Sequence, residues 1–313
     1  MRAALRYDQS GVPLDFRRLA PLDPLSVEAD AEAFASVASL KHIGQRFPGE
    51  RATVRVGRIA VGGDEFVVAA GPCAVENEAQ VMATAEAAAE AGAHILRGGG
   101  FKPRTSPYTF QGLEIEGLRL LRKAGDAFGM PVVSEAMTDT QVSVVADFAD
   151  MIQVGARSMY NDALLAAVGR SGRPVMLKRA MAASLEELLA AADFIAANGN
   201  SDIILCERGI RTYGRMTRNT CDLAGVAALN LLTRLPVLVD PSHSTGQRAL
   251  VPPVSRAAVA VGADGLLVEM HPEPRRALSD GLQSLTFEEF NEMMRSLEPY
   301  IELRRQERVA AVT

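Results

Sequence analysis

No two cysteines stand close together in this chain. Cys73, Cys206 and Cys221 form no CxxC pair, which leaves neither a disulfide framework nor a zinc knuckle to organise the fold, although a lone thiolate remains available as a ligand. Long apolar runs are missing too. The first 25 residues, MRAALRYDQSGVPLDFRRLAPLDPL, hold no run long enough for a signal peptide, and no later window offers a charge-free membrane span, so a cytoplasmic protein without membrane contact is expected. The third absence is a surplus of positive charge. With 33 Lys and Arg against 38 Asp and Glu, the formal net charge is -5, which argues against nucleic acid or an anionic membrane as partner and requires any cationic site to be local. A dinucleotide fingerprint is also lacking: the turn after the first strand candidate reads GPCAVENE, not GxGxxG.

What the chain has instead is one pattern repeated eight times from residue 65 onward, a short β-branched apolar run followed by a longer segment with helical spacing. The strand candidates are EFVVAAG, AHILRG, PVVSEA, MIQVGA, PVMLKR, DIILCE, PVLVDP and GLLVEM. Helical segments such as NEAQVMATAEAAAEAG and SLEELLAAADFIAANG lie between them, and TFEEFNEMMRSLEPY comes last. Several stop at Gly92, Gly129 or Gly172, the last two with Pro131 and Pro174 close behind, as expected where a helix hands over to a strand. Eight such units in 313 residues predict the α/β class and a closed (β/α)8 barrel of the TIM type rather than an open doubly wound sheet. Ahead of them, RATVRVGRIAVGGDEF alternates around Gly62-Gly63 and predicts a hairpin closing the barrel bottom. Residues 1–38 show no strong period and read as a short extension, with one helix possible in ADAEAFASVASL; residues 39–313 read as one catalytic domain.

In such a barrel the active site lies at the C-terminal strand ends. Every predicted end delivers a group able to bind a metal or an anion: Cys73, Arg97, Glu135, Arg157, Lys178 with Arg179, Glu207 with Arg208, Asp240 with His243, and Glu269 with His271. The residues sort by chemistry. Arg97, Lys102, Arg157, Lys178 and Arg208 are five cations drawn into one concave mouth, a costly arrangement unless a multiply charged anion sits among them, and phosphates and carboxylates are its natural occupants. The segment RGGGFKPRTSP at 97–107 belongs with them, because its glycines and prolines make a shaped loop that carries Arg97, Lys102 and Arg104 toward the ligand.

Cys73, His243, Glu269 and Asp280 form the second group. Singly, a buried cysteine usually fills core, a mouth histidine is often only a hydrogen-bond partner, and an aspartate after Ser279 can cap a helix. Their joint placement on the first, seventh and eighth strands, which meet where the barrel closes, points instead to a divalent ion of borderline softness: manganese, iron, cobalt or zinc. His271 fits that set less well, and Cys206 and Cys221 read as ordinary buried residues in a strand and a helix.

Over roughly residues 40 to 300 the chain resembles the type I beta subgroup of 3-deoxy-D-arabino-heptulosonate 7-phosphate synthases. The resemblance is carried by GPCAVE, LRGGGFKPRTSPYTFQG, SEAM, IQVGAR, LKRAM, ILCERGIRTY with TRNT, VDPSHSTG, LLVEMHPEP and ALSDGLQSL. It implies a divalent-metal enzyme, with manganese foremost, that joins phosphoenolpyruvate to erythrose 4-phosphate and releases phosphate at the head of the shikimate pathway. It further implies Cys73, His243, Glu269 and Asp280 as metal ligands and Arg97, Lys102, Arg157, Lys178 and Arg208 around phosphoenolpyruvate. Arg104, Thr105 and Asp240 would hold the aldose phosphate, and Lys102, Glu135, Lys178, Asp240 and His243 would take part in catalysis. Members of this family associate as dimers or tetramers, and a chorismate mutase partner is compatible with it. About 38 leading residues are too few for the regulatory domains that many members carry, so little feedback inhibition by aromatic products is expected.

Overall fold

The computed structural model describes residues 40–45, 49–102 and 108–312, with side chains to 307. Arg104, Thr105 and, apart from Leu40, the helix expected at 29–40 lie outside them. All eight predicted runs are strands: β3 Val67–Gly71, β4 Ile95–Arg97, β5 Val132–Ala136, β6 Met151–Val154, β7 Val175–Lys178, β8 Ile203–Glu207, β9 Val237–Val239 and β10 Gly265–Glu269. Each is hydrogen-bonded to the next in parallel, and β10 closes the barrel on β3. Nearly every strand residue is buried, which is why these runs read as continuously apolar rather than alternating. The closing register runs from Gly265 opposite Val67 to Glu269 opposite Gly71, and so sets Glu269 beside the turn that leads to Cys73.

Local chemistry explains where the helices begin and end. Asn77 caps helix Glu78–Glu90 by accepting from Gln80 N at 2.9 Å, and Ser184 forms a reciprocal capping box with Glu187 at the start of Leu185–Ala197. The predicted stops Gly92, Gly129 and Gly172 take φ of 83°, 64° and 68°, the left-handed region that glycine enters without cost. The last helix, Phe287–Val312, runs well beyond the predicted end, straight through Pro299. Packing overrides the proline here: Leu297 is buried before it, and beyond it Arg304 reaches Asp264 on the barrel at 3.1 Å.

The hairpin differs from expectation in its turn. β1 Val54–Val56 and β2 Ile59–Val61 pair with Val56 opposite Ile59, so the loop is Gly57-Arg58, with Gly57 at φ 56°, and Gly62-Gly63 comes after the second strand. A two-residue loop with positive φ matches the twist of the flanking strands, and this outweighed the double glycine. Val54, Val56 and Val61 pack into the same apolar cluster as Val67, Ile95 and Met151, and this plugs the barrel floor. No helix among the described residues is long and apolar enough to cross a membrane.

Candidate active site

Four donors meet just past the strand ends. Cys73 follows β3 through Gly71, where a Cβ would collide with the Arg97 carbonyl, so only glycine lets β3 and β4 approach this closely. His243 sits in the short helix Pro241–Thr245 after β9, Glu269 ends β10, and Asp280 lies in the following loop at φ 51°, a left-handed conformation that aspartate tolerates better than most residues. Ligand atoms of Cys73, His243, Glu269 and Asp280 all lie within 4.8 Å of one another. Donors bound tetrahedrally to one ion stand roughly 3.5 Å apart, and His243 Nε2 is already 3.4 Å from Glu269 and 3.8 Å from Asp280.

The surroundings prepare each donor. Asp240 is fully buried; it accepts from His243 N at 2.8 Å and faces His243 Nδ1 at 2.7 Å, with Lys178 Nζ on the same carboxylate. Burial opposes its ionisation, but His243 and Lys178 outweigh that and hold Asp240 well below the usual carboxylate range. An ionised Asp240 fixes the proton of His243 on Nδ1 and leaves the Nε2 lone pair toward Glu269 and Asp280, at 3.4 and 3.8 Å. Burial lowers the pKa of His243, which favours the neutral, ligating imidazole. Burial and then Glu269 push the Cys73 thiol up to about 11, so a bound cation would have to displace its proton. Asp280 is held at about 2, where His243, Arg218 and Lys102 outweigh burial. Gln283 donates to Glu269 Oε2 at 2.6 Å while accepting from Arg218 at 2.9 Å, and Arg218 also donates to Asp280 at 3.2 Å, so one amide and one guanidinium tie two of the carboxylates together. The donor set, the fixed tautomer and these outer bonds all fit a divalent metal.

Above the cluster opens a cavity of about 490 Å3 lined by all five expected cations, Arg97, Lys102, Arg157, Lys178 and Arg208, together with His243, Asp280 and Glu135. Arg97 donates to Glu269 Oε1 at 2.9 Å and to the Pro72 carbonyl at 2.8 Å, while Lys102 Nζ reaches Cys73 O at 2.9 Å and Cys73 Sγ at 3.1 Å. The four potential metal donors and the cavity cations therefore share one wall.

A family model described as the DAHP synthetase I family matches residues 30–303. The chain belongs to this family. A family relative, the phospho-2-dehydro-3-deoxyheptonate aldolase of Thermotoga maritima, is 49% identical over 257 residues, spanning 82% of this chain and 76% of its own. Its crystal structure superimposes with a TM-score of 0.79 at 47% identity, over 82% of this chain and 75% of that one; a truncated form gives 0.78 at 44%, over 84% and 97%. The 2-dehydro-3-deoxyphosphooctonate aldolase of Syntrophotalea carbinolica is 35% identical over 264 residues, 78% of this chain and 94% of its own.

Several placements were not visible in the family motifs alone. Arg211 and Arg218, from ERGIRTY and TRNT, add two cations to the cavity, and Asn219, Gln153 and Gly155 also line it. They sit in quoted motifs but on a loop and a mid-strand position, where charge and polarity alone do not reveal direction. Asp240 is not on the cavity wall: its contacts are Lys178, His243 and a helix N-terminus, an arrangement suited to orienting those groups rather than to touching a sugar. Arg179 turns away from Lys178 and bonds Glu207 at 3.0 Å and Asp222 at 2.8 Å, anchoring the loop that carries Arg208, Arg211 and Arg218. His271 lies apart from the four donors, 3.5 Å from Glu76. Cys206, in β8 opposite Lys178, packs in the apolar cluster inside the barrel as expected of a buried strand residue, whereas Cys221 precedes helix Leu223–Leu232 rather than lying inside one, because Asp222 is its N-cap.

Proposed function

We propose that this protein condenses phosphoenolpyruvate with erythrose 4-phosphate and water, giving 3-deoxy-D-arabino-heptulosonate 7-phosphate and inorganic phosphate. One observation carries the reading: among the described residues, a cluster of four potential metal donors lies at the base of a cavity walled by seven cations, which outnumber the lining carboxylates Glu135 and Asp280 even with buried Glu269 and Asp240 counted. A surplus of that size in a partly closed mouth calls for substrates bearing several negative charges.

In this reading Cys73, His243, Glu269 and Asp280 hold a divalent metal, manganese foremost, with iron, cobalt and zinc as alternatives. Once bound, the metal supplies Lewis-acid polarisation of the aldehyde oxygen. Arg97, Lys102, Arg157, Lys178 and Arg208 grip the carboxylate and phosphate of phosphoenolpyruvate and set its C3 against the aldehyde carbon. The C3–C1 bond forms as the enol π pair attacks and the aldehyde oxygen takes up a proton. Water adds at C2, and the C2–O bond to phosphate breaks as the new C2 hydroxyl gives its proton to the departing phosphate and becomes the ketone, with the cations stabilising the charge that leaves. Glu135, beside that carbon chain, takes the proton from the adding water. Arg104 and Thr105 hold the distal phosphate of the aldose, and Pro103 before them fixes its distance from the reacting centre. A homodimer or homotetramer in the cytoplasm is part of the same reading.

The test is turnover with both substrates, followed as phosphoenolpyruvate consumed and phosphate released. Chelator should abolish turnover and manganese should restore it; full activity of the metal-stripped protein overturns the metal assignment. With arabinose 5-phosphate in place of erythrose 4-phosphate, kcat/KM should fall roughly a hundredfold, the cost of misplacing the reacting carbon by about 1 Å. Equal or higher efficiency with the five-carbon aldose makes this an octulosonate-forming enzyme.

A further inference from the structure

We propose that Gln153 and Gly155 are a positioning pair that holds the Glu135 carboxylate in one orientation, an inference that rests on the proton-handling role proposed for Glu135. Both residues belong to IQVGAR, the motif that also carries Arg157.

β5 and β6 run side by side with Glu135 directly opposite Gln153. Gln153 is 6% exposed, and its Nε2 donates to Glu135 Oε2 at 3.0 Å. An amide is a particular choice of partner there. It fixes one carboxylate oxygen through a neutral donor, whereas a lysine or arginine in its place would depress the basicity that proton abstraction requires.

Glycine supplies the other half. Gly155 does not take a left-handed φ, so that conformation is not what calls for glycine here. What a side chain would meet is Glu135: a Cβ at 155 would stand 2.8 Å from its Cδ and 3.4 Å from Oε2, and closer still to Oε1, so the carboxylate, the end of a flexible side chain, would have to move. The carboxylate thus lies across the bare Cα of residue 155, in the volume a side chain would fill. Oε2 is held by the amide, and Oε1 rests over Gly155 on the cavity wall without a hydrogen-bond partner among the described residues. One oxygen is fixed and the other is presented. Moving that oxygen by about 1 Å would cost roughly a hundredfold in rate.

The experiment is a double-mutant cycle with Gly155→Ala, Glu135→Ala and the double variant, joined by Gln153→Met and Gln153→Glu. Turnover, manganese affinity, thermal denaturation and the pH dependence of kcat are read for each. Gly155→Ala should lower kcat about a hundredfold, with manganese affinity unchanged, and should cost nothing further in the Glu135→Ala background, because its effect passes through Glu135. Gln153→Glu places a like charge beside Glu135 and should move the acid limb of the pH profile upward; Gln153→Met should lower kcat without that movement. Additive losses in the double variant, or weakened manganese binding in Gly155→Ala, assign the glycine to general packing and overturn the proposal. Should Gly155→Ala not fold, a Gln153→Glu profile superimposable on the parent overturns it equally. Parental turnover in Glu135→Ala removes the role proposed for Glu135 itself, a result distinct from failure of the pair.

Discussion

The floor and the mouth of the barrel are opposite ends of the same eight strands, and both bury charge. At the floor Asp264 accepts from Arg51, from Arg304 at 3.1 Å and from Val237 N at 2.8 Å, beside a plug of hairpin valines and strand side chains. That charge is matched by opposite charge from the same chain. In the mouth, among the described residues, the seven cations along the cavity outnumber its carboxylates, Glu135 and Asp280, even when the buried Glu269 and Asp240 that pair with Arg97 and Lys178 are added. Balanced burial holds a fold together, whereas unbalanced burial leaves work for a ligand, so the sign of the imbalance identifies its class.

Four substitutions sharpen or break this contrast. The largest effect is expected from Asp240→Ala, which strips the buried Lys178 of its carboxylate and His243 of its orienting partner. Leaving a buried charge unpaired costs about 3–5 kcal/mol, and turnover should fall by roughly a hundredfold or more. Asp240→Asn should regain part of the stability without the turnover, as denaturant titration and steady-state kinetics will show; a parental Asp240→Ala would mean that this carboxylate orients nothing. Next comes the floor. Met151→Ala, fully buried in the plug, should lose about 2–5 kcal/mol of stability and keep its kcat/KM well below its melting temperature. A matching collapse of kcat/KM would show that floor and mouth are one mechanical unit.

Cys73→Ser should do the reverse on a smaller scale. Replacing a soft thiolate donor with a hydroxyl should weaken manganese or cobalt binding at least about tenfold, measured by calorimetry, while the metal-free protein stays within about 1 kcal/mol of the parent. Equal metal affinity would remove Cys73 from the ligand set. Smallest is Lys123→Ala on the outer ring, which breaks an ion pair with Glu78 whose partners are both about half exposed (53% and 51%). Water already screens that pair, so the loss should not exceed about 1 kcal/mol and turnover should not change.

The sequence by itself determined the eight-fold repeat, the helix stops at Gly92, Gly129 and Gly172, and the family to which the chain belongs, because each is written in short stretches where period, glycine and proline act on their immediate neighbours. It also determined which side chains could bind metal and anion, since barrel topology sends residues at strand ends such as Arg97, Glu135 and Glu269 to one place. Only the tertiary structure decided what those side chains touch. It set Asp240 behind Lys178 and His243, swung Arg179 outward to Glu207 and Asp222, and brought Arg211 and Arg218 into the cavity on a loop with no period to read. It moved the hairpin turn to Gly57-Arg58, and it laid Glu135 over Gly155. These outcomes depend on contacts between residues far apart in the chain, and distances of a few ångströms across a barrel are fixed by packing and strand register, which no local pattern encodes.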